Sequence, residues 1–145
     1  MNYDTHRVDN ISFGDLSSEV LAEMFTDGRL ASHFLERQLC EWYPFLKFVN
    51  KKGYDHVDDA GNRYDQKCFT NQGLKFAPSS MYGAGRKVNL EEAVKHIEQT
   101  KYICCDITEF PTVRVCFATG KELLEEYPNC SVKKSERDKL FSKEN

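Results

Sequence analysis

A chain of 145 residues, 40% of them hydrophobic, is long enough to bury one core and short for two domains. Its 23 acidic and 20 basic residues leave a formal charge of -3, which excludes a protein held to nucleic acid by bulk positive charge. No apolar run is long enough to span a bilayer, no signal peptide opens the chain, and the six cysteines show neither CxxC nor zinc-ligand spacing. These features point to a reducing cytoplasm, with the cysteines as buried thiols and any DNA contact confined to local basic patches.

In chain order, residues 1–14 read as a polar N-terminal arm. Asp15 can cap a first helix whose apolar positions Leu16, Val20, Leu21 and Met24 recur at helical spacing, ending near Asp27-Gly28. A second helix is expected from about Leu30 to Tyr43, with Leu35, Leu39 and Trp42 on its buried face, Glu36 at the edge of that face and Arg37 turned outward. Pro44 stops it, and Phe45 to Val49 reads as a strand.

The stretch from Gly53 to Lys67 then reads as a β-hairpin. Gly61-Asn62 supplies turn chemistry, and Arg63 to Phe69 has the aromatic content and alternation of a strand. Because side chains on a strand alternate faces, Asp65 and Lys67 project together while Tyr64, Gln66 and Cys68 project the other way. Asp55, on the preceding strand, can close the site. Two carboxylates suit a hard divalent cation such as Mg²⁺ and leave positions for water and a substrate phosphate oxygen. A neighbouring ammonium group can orient the attacking water or stabilise charge developing on phosphorus. Asp58 and Asp59, in the same hairpin, are chemically competent alternatives to Asp55, though aspartate at such positions also builds turns.

Asp55, nine intervening residues, then Asp65-x-Lys67 resembles the core motif of the PD-(D/E)XK nuclease superfamily. The fuller pattern Asp55-x-Val57-Asp58-x-Ala60-Gly61-x-x-Tyr64-Asp65-x-Lys67 resembles the PvuII-type type II restriction endonucleases over about fifteen residues, with the spacing kept. The resemblance implies that Asp55 and Asp65 bind metal and that Lys67 completes the catalytic set. It also implies that Glu36, on the first core helix, is an accessory metal or water ligand; a solvated helix glutamate is the competing reading. Asp65 stands where that relative has glutamate, one methylene longer. Tyr54 stands where the wider family has proline. Lys52 stands where the relative has a further acid, which argues against a second metal position built in the same way.

The segment from Thr70 to Asn89 breaks periodicity with Gly73, Pro78, Gly83 and Gly85 and is rich in hydrogen-bond donors. The resemblance implies that the corresponding segment reads bases, which assigns Ser79, Ser80, Tyr82 and Arg86 to DNA contact. On the other reading the loop is an ordinary connection whose Lys75, Arg86 and Lys87 touch only phosphate. Asn89 is expected to cap a helix with Leu90, Ala93, Val94 and Ile97 as its buried stripe and His96 at its surface. Tyr102 to Ile107 and Val113 to Ala118 read as two strands separated at Pro111, Gly120 introduces a short helix, and residues 132–145 form a polar tail.

This order predicts a single domain over residues 1–145, an α+β (α/β sandwich) fold with a mixed central sheet flanked by helices. The resemblance implies a restriction-endonuclease-like core. It implies a Mg²⁺-dependent type II site-specific deoxyribonuclease cleaving double-stranded DNA at a short palindromic sequence. A two-fold site calls for a homodimer, its surface expected on the N-terminal helices and arm. A cognate DNA methyltransferase of the same restriction-modification system is expected, without direct complex. The alternatives are a structure-specific repair, recombination or phage nuclease on the same fold, and a non-catalytic DNA-binding subunit.

Overall fold

Six strands pair in the order β1-β7-β6-β4-β3-β2 to form one curled sheet. They are β1 (Asn2–Arg7), β2 (Leu46–Lys51), β3 (Tyr54–Asp58), β4 (Arg63–Phe69), β6 (Lys101–Asp106) and β7 (Thr112–Thr119), while β5 (Leu74–Lys75) and β8 (Ser131–Val132) make a separate two-stranded ladder. The helices are α1 (Ser18–Met24), α2 (Gly28–Trp42), α3 (Leu90–Glu98), α4 (Gly120–Glu126) and α5 (Arg137–Phe141). This computed structural model describes residues 1–78 and 90–142. The result is a mixed α/β architecture of the α+β kind, with five helices among the described residues.

Only β4 and β6 run parallel; the remaining neighbours in the large sheet are antiparallel. A parallel pair needs a long crossover, and the chain between Phe69 and Lys101 supplies it, carrying β5 and α3. That crossover puts β4, with the Asp65-x-Lys67 motif, in the interior of the sheet, paired on both sides.

Each face of the sheet is covered. On one, Ala31, Leu35 and Leu39 of α2 pack with Ile103, Cys105, Val113 and Val115. On the other, Ile97, Leu123 and Leu140 pack over Phe69, Tyr102, Cys104 and Cys116. Burial on both sides explains why β6 reads as a nearly continuous apolar run, Tyr-Ile-Cys-Cys, with no polar face. Where α4 begins, a Cβ on Gly120 would lie 1.6 Å from the Ile97 carbonyl oxygen, so only glycine lets the two helices meet there.

Two terminal expectations are corrected. The expected arm, residues 1–14, contains the edge strand β1, registered against β7 from Asn2↔Phe117 to Arg7↔Thr112. Its bonds are mostly backbone, so no apolar alternation marks it. Side chains add to them: the Tyr43 hydroxyl donates to Asp4 Oδ2 at 2.9 Å and lies 2.8 Å from His6 Nε2. The expected polar tail, residues 132–145, contains the end of β8, a single 3₁₀ turn and α5, whose Leu140 and Phe141 are buried.

Smaller differences are local. Ser17, not Asp15, caps α1, its side chain accepting from Val20 N. Arg37 is exposed, as expected, with its guanidinium 4.2 Å from the Phe48 ring centroid. All six cysteines are free thiols, four of them buried. Among the described residues no helix is long and apolar enough to cross a membrane.

Candidate active site

The hairpin between β3 and β4 is built by Asp58. Its Oδ1 accepts from Ala60 N at 3.0 Å and Asn62 N at 2.8 Å, and its Oδ2 accepts from Asn62 Nδ2 and the Tyr64 hydroxyl. Gly61 takes φ +84°, the left-handed conformation that such a tight turn needs and glycine adopts most readily. The Asn62 side chain, chiefly, holds the Asp58 carboxyl below its usual range. With both oxygens already engaged, Asp58 is a turn residue. Asp59, beside it, is exposed at the hairpin tip.

The β3–β4 register pairs Val57 with Arg63 and His56 with Tyr64, and its next step brings Asp55 opposite Asp65. There Asp55 Oδ2 accepts the backbone N–H of Gln66 at 2.9 Å, a bond that fixes the carboxylate against β4. Lys67 Nζ lies 3.2 Å from Asp65 Oδ2, with both side chains four-fifths buried. Asp55, Asp65 and Lys67 therefore converge on one face of the sheet.

Burial and the adjacent Asp55 push the Asp65 carboxyl up to about 6, against the pull of Lys67. One ammonium thus does not compensate two neighbouring carboxylates in a partly dry site. The pair holds a proton more firmly than an ordinary aspartate does, and the same excess of negative charge suits a divalent cation. Among the described residues no three His, Cys, Asp or Glu side chains gather into a metal cage. The donor set is a pair of hard oxygens, which fits a cation that keeps water and phosphate as its other ligands.

The opposite face of the same strands is tied to α2. His56 is wholly buried and its Nε2 lies 2.8 Å from the Glu36 carbonyl oxygen; Gln66 Nε2 donates to the Ser32 carbonyl at 3.2 Å. Since a carbonyl can only accept, His56 Nε2 is the donor in its bond. His56 Nδ1 and Gln66 Oε1 are both buried without a partner. These two residues, one next to Asp55 and one between Asp65 and Lys67, set the strands against the helix. Alternation marks Gln66 as facing away from Asp65 and Lys67, but nothing in the sequence shows what either side chain bonds.

Glu36 lies on α2, on the far side of the sheet from Asp65 and Lys67. Its carboxylate is 3.6 Å from His33 Nδ1, and it does not join Asp55 and Asp65 in a group of three. Lys75 lies on β5, whose partner is β8. Ser79, Ser80, Tyr82, Arg86, Lys87 and the cap Asn89 lie outside the described residues. A groove of about 750 Å³ lies elsewhere, between β1, α4 and α5. Asp4, Glu122, Glu125 and Glu126 line it, a charge pattern that repels nucleic acid.

Compared with protein families and with curated proteins, the sequence matches none. The chemistry of the site therefore stands on its residues.

Proposed function

We propose that this chain is a Mg²⁺-dependent endonuclease of type II restriction character, hydrolysing phosphodiester bonds of double-stranded DNA on a restriction-endonuclease-like core. The observation that carries the reading is the facing pair Asp55 and Asp65 with Lys67 Nζ 3.2 Å from Asp65, a cluster short of positive charge. Asp55 and Asp65 hold the cation. When bound, it polarises the phosphate and lowers the pKa of the attacking water.

The chain's own groups supply the rest. Lys67 positions the nucleophile and stabilises charge growing on the phosphate oxygens. The Gln66 N–H keeps Asp55 turned into the site. The rigid pairing of β4 on both sides fixes the separation of the three groups, so little reorganisation is needed when phosphate arrives.

Cleaving both strands of a two-fold site requires two such centres, and a homodimer is the economical arrangement. Val20 and Met24 are exposed on α1, and Phe13, Leu16 and Leu30, near it along the chain, are exposed as well. A second copy is the partner proposed for this group of exposed apolar side chains, which fall close together in the chain.

The test is incubation of the purified protein with long unmethylated duplex DNA in Mg²⁺, with chelator and Lys67→Ala controls, followed by fragment sizing. Discrete fragments absent from both controls are expected. Intact duplex together with cleavage of branched, mismatched or nicked DNA would replace the restriction reading with a structure-specific one. DNA binding without cleavage of any substrate would leave a non-catalytic subunit.

A further inference from the structure

Beside the carboxylate pair lies a second, chemically opposite feature. A cleft of about 270 Å³ opens between the β2–β3 turn, the start of β4 and the end of α3, lined by Lys52, Tyr54, Arg63, His96, Gln99 and Thr100 with Gly53 at its rim. Two fixed cations and an imidazole face it, and no carboxylate lines it. In a chain with more acids than bases that is a marked local departure.

Lys52, Arg63 and His96 are all exposed, open to solvent and to any ligand that enters the cleft. The ion pairs of the described residues use Met1, Arg7, Arg29, His33, Lys67, Arg114, Arg137 and Lys139 as their cations, and Lys52, Arg63 and His96 take no part. The Arg63 guanidinium lies 4.7 Å from the Tyr54 ring centroid, so an aromatic face supports it while its N–H edges stay open. A planar guanidinium held in this way can give two parallel hydrogen bonds to one phosphate.

Position links the cleft to the site. Tyr54 adjoins Asp55, and Arg63 precedes Asp65 by two residues on the same face of β4, roughly 7 Å along the strand. A backbone with one phosphate at Asp55 and Asp65 therefore has a neighbouring phosphate of the same strand within reach of the cleft.

We propose that this cleft is a backbone-phosphate subsite, in which Lys52 and Arg63 grip the DNA strand next to the scissile bond. The inference rests on the nuclease reading and adds a binding site to it. Lys52 and Arg63 supply affinity and register without reading sequence.

The experiment is fluorescence-anisotropy titration of a labelled mixed-sequence duplex of about 30 bp in Ca²⁺, over a series of salt concentrations, with wild type and two double variants. One is Lys52→Ala/Arg63→Ala. The other, Lys121→Ala/Lys133→Ala, removes the same charge from α4 and the 3₁₀ turn region. Circular dichroism checks the fold of each. The cleft variant is expected to lose about tenfold or more in affinity at 0.1 M salt, and its slope of log affinity against log salt to shrink by about 1.8, the value for two lost phosphate contacts. The control variant is expected to keep the wild-type slope. Equal behaviour of the two variants beside a wild type that binds and cleaves DNA would overturn the subsite alone. A wild type with no salt-dependent DNA binding would overturn the nuclease reading and the subsite with it.

Discussion

The protein contains two buried clusters of ionised groups, and they are built to opposite specifications. At the first, Asp106 is 2% exposed, yet its Oδ2 accepts from Arg114 at 3.0 and 3.1 Å and from Arg137 Nε at 2.7 Å, and its Oδ1 accepts from Thr108 N and Oγ1. Burial, the largest single influence, pushes the Asp106 carboxyl up, but the bonds from Thr108 and Arg137 win and hold it below the usual range. At the second, Asp65 has the Lys67 ammonium on one side and the Asp55 carboxyl on the other, and it rises to about 6. One cluster satisfies its carboxylate completely and the other leaves a deficit. A saturated cluster is structural; an undersaturated one on a rigid strand is what a metal-assisted site requires.

The largest expected effect falls on the saturated side. Asp106→Ala leaves two arginines crowded at the end of β6 without their common partner and is expected to cost about 3–5 kcal/mol in denaturant unfolding. A cost below about 1 kcal/mol would show that the cluster is solvent-relaxed and the contrast weaker than drawn. Next, Lys67→Ala should lower the cleavage rate about 10²–10³-fold under saturating Mg²⁺, equivalent to about 2.7–4 kcal/mol of barrier, while unfolding stability changes little. A stability loss matching that of Asp106→Ala would instead make Lys67 structural.

The third prediction concerns sign. The folded-state pKa of Asp65, about 6, exceeds the ordinary 3.8, so the folded chain binds this proton more tightly than the unfolded chain does. That contribution to stability is complete below about pH 4 and is lost as pH rises through about 6. Asp65→Asn should therefore stabilise the metal-free protein by up to about 3 kcal/mol at pH 7, though not at pH 4, and abolish cleavage. Chemical denaturation at both pH values checks it. In the wild type, Mg²⁺ or Ca²⁺ should raise the melting temperature at pH 7 and progressively less as pH falls below 6, where the proton competes for the same oxygens. Smallest of all, Gln66→Leu removes one buried orphan acceptor along with a good bond to Ser32, so stability should shift by no more than about 1 kcal/mol. Its effect should appear in cleavage, through loosened register between Asp65 and Lys67.

The undersaturated cluster was the more legible of the two in sequence. Alternation alone places Asp65 and Lys67 on one face, and Gly61 marks the turn that carries Asp55 back beside them. The Asp106 cluster draws Arg114 from β7 and Arg137 from α5, residues separated by two elements and a tail that reads as solvated surface. Only the tertiary fold brings them together. The edge strand β1 was hidden for a related reason: Asn-Tyr-Asp-Thr-His-Arg carries no apolar period, and its ladder is made by backbone groups that every sequence possesses. His56 and Gln66 show the same limit at the scale of single side chains, since polar residues inside a strand give no sign of bonding a carbonyl of a helix.

The register of β1 also says something about the order of assembly. Asn2 pairs with Phe117, so the first strand of the chain finds its place only against nearly the last. Hairpins such as β2–β3 and β6–β7 close short loops, whereas docking β1 closes the longest loop available, at the greatest entropic cost. The residues of β1 are therefore expected to be among the last to order, and hydrogen exchange during refolding should show their amides protected after those of β6 and β7.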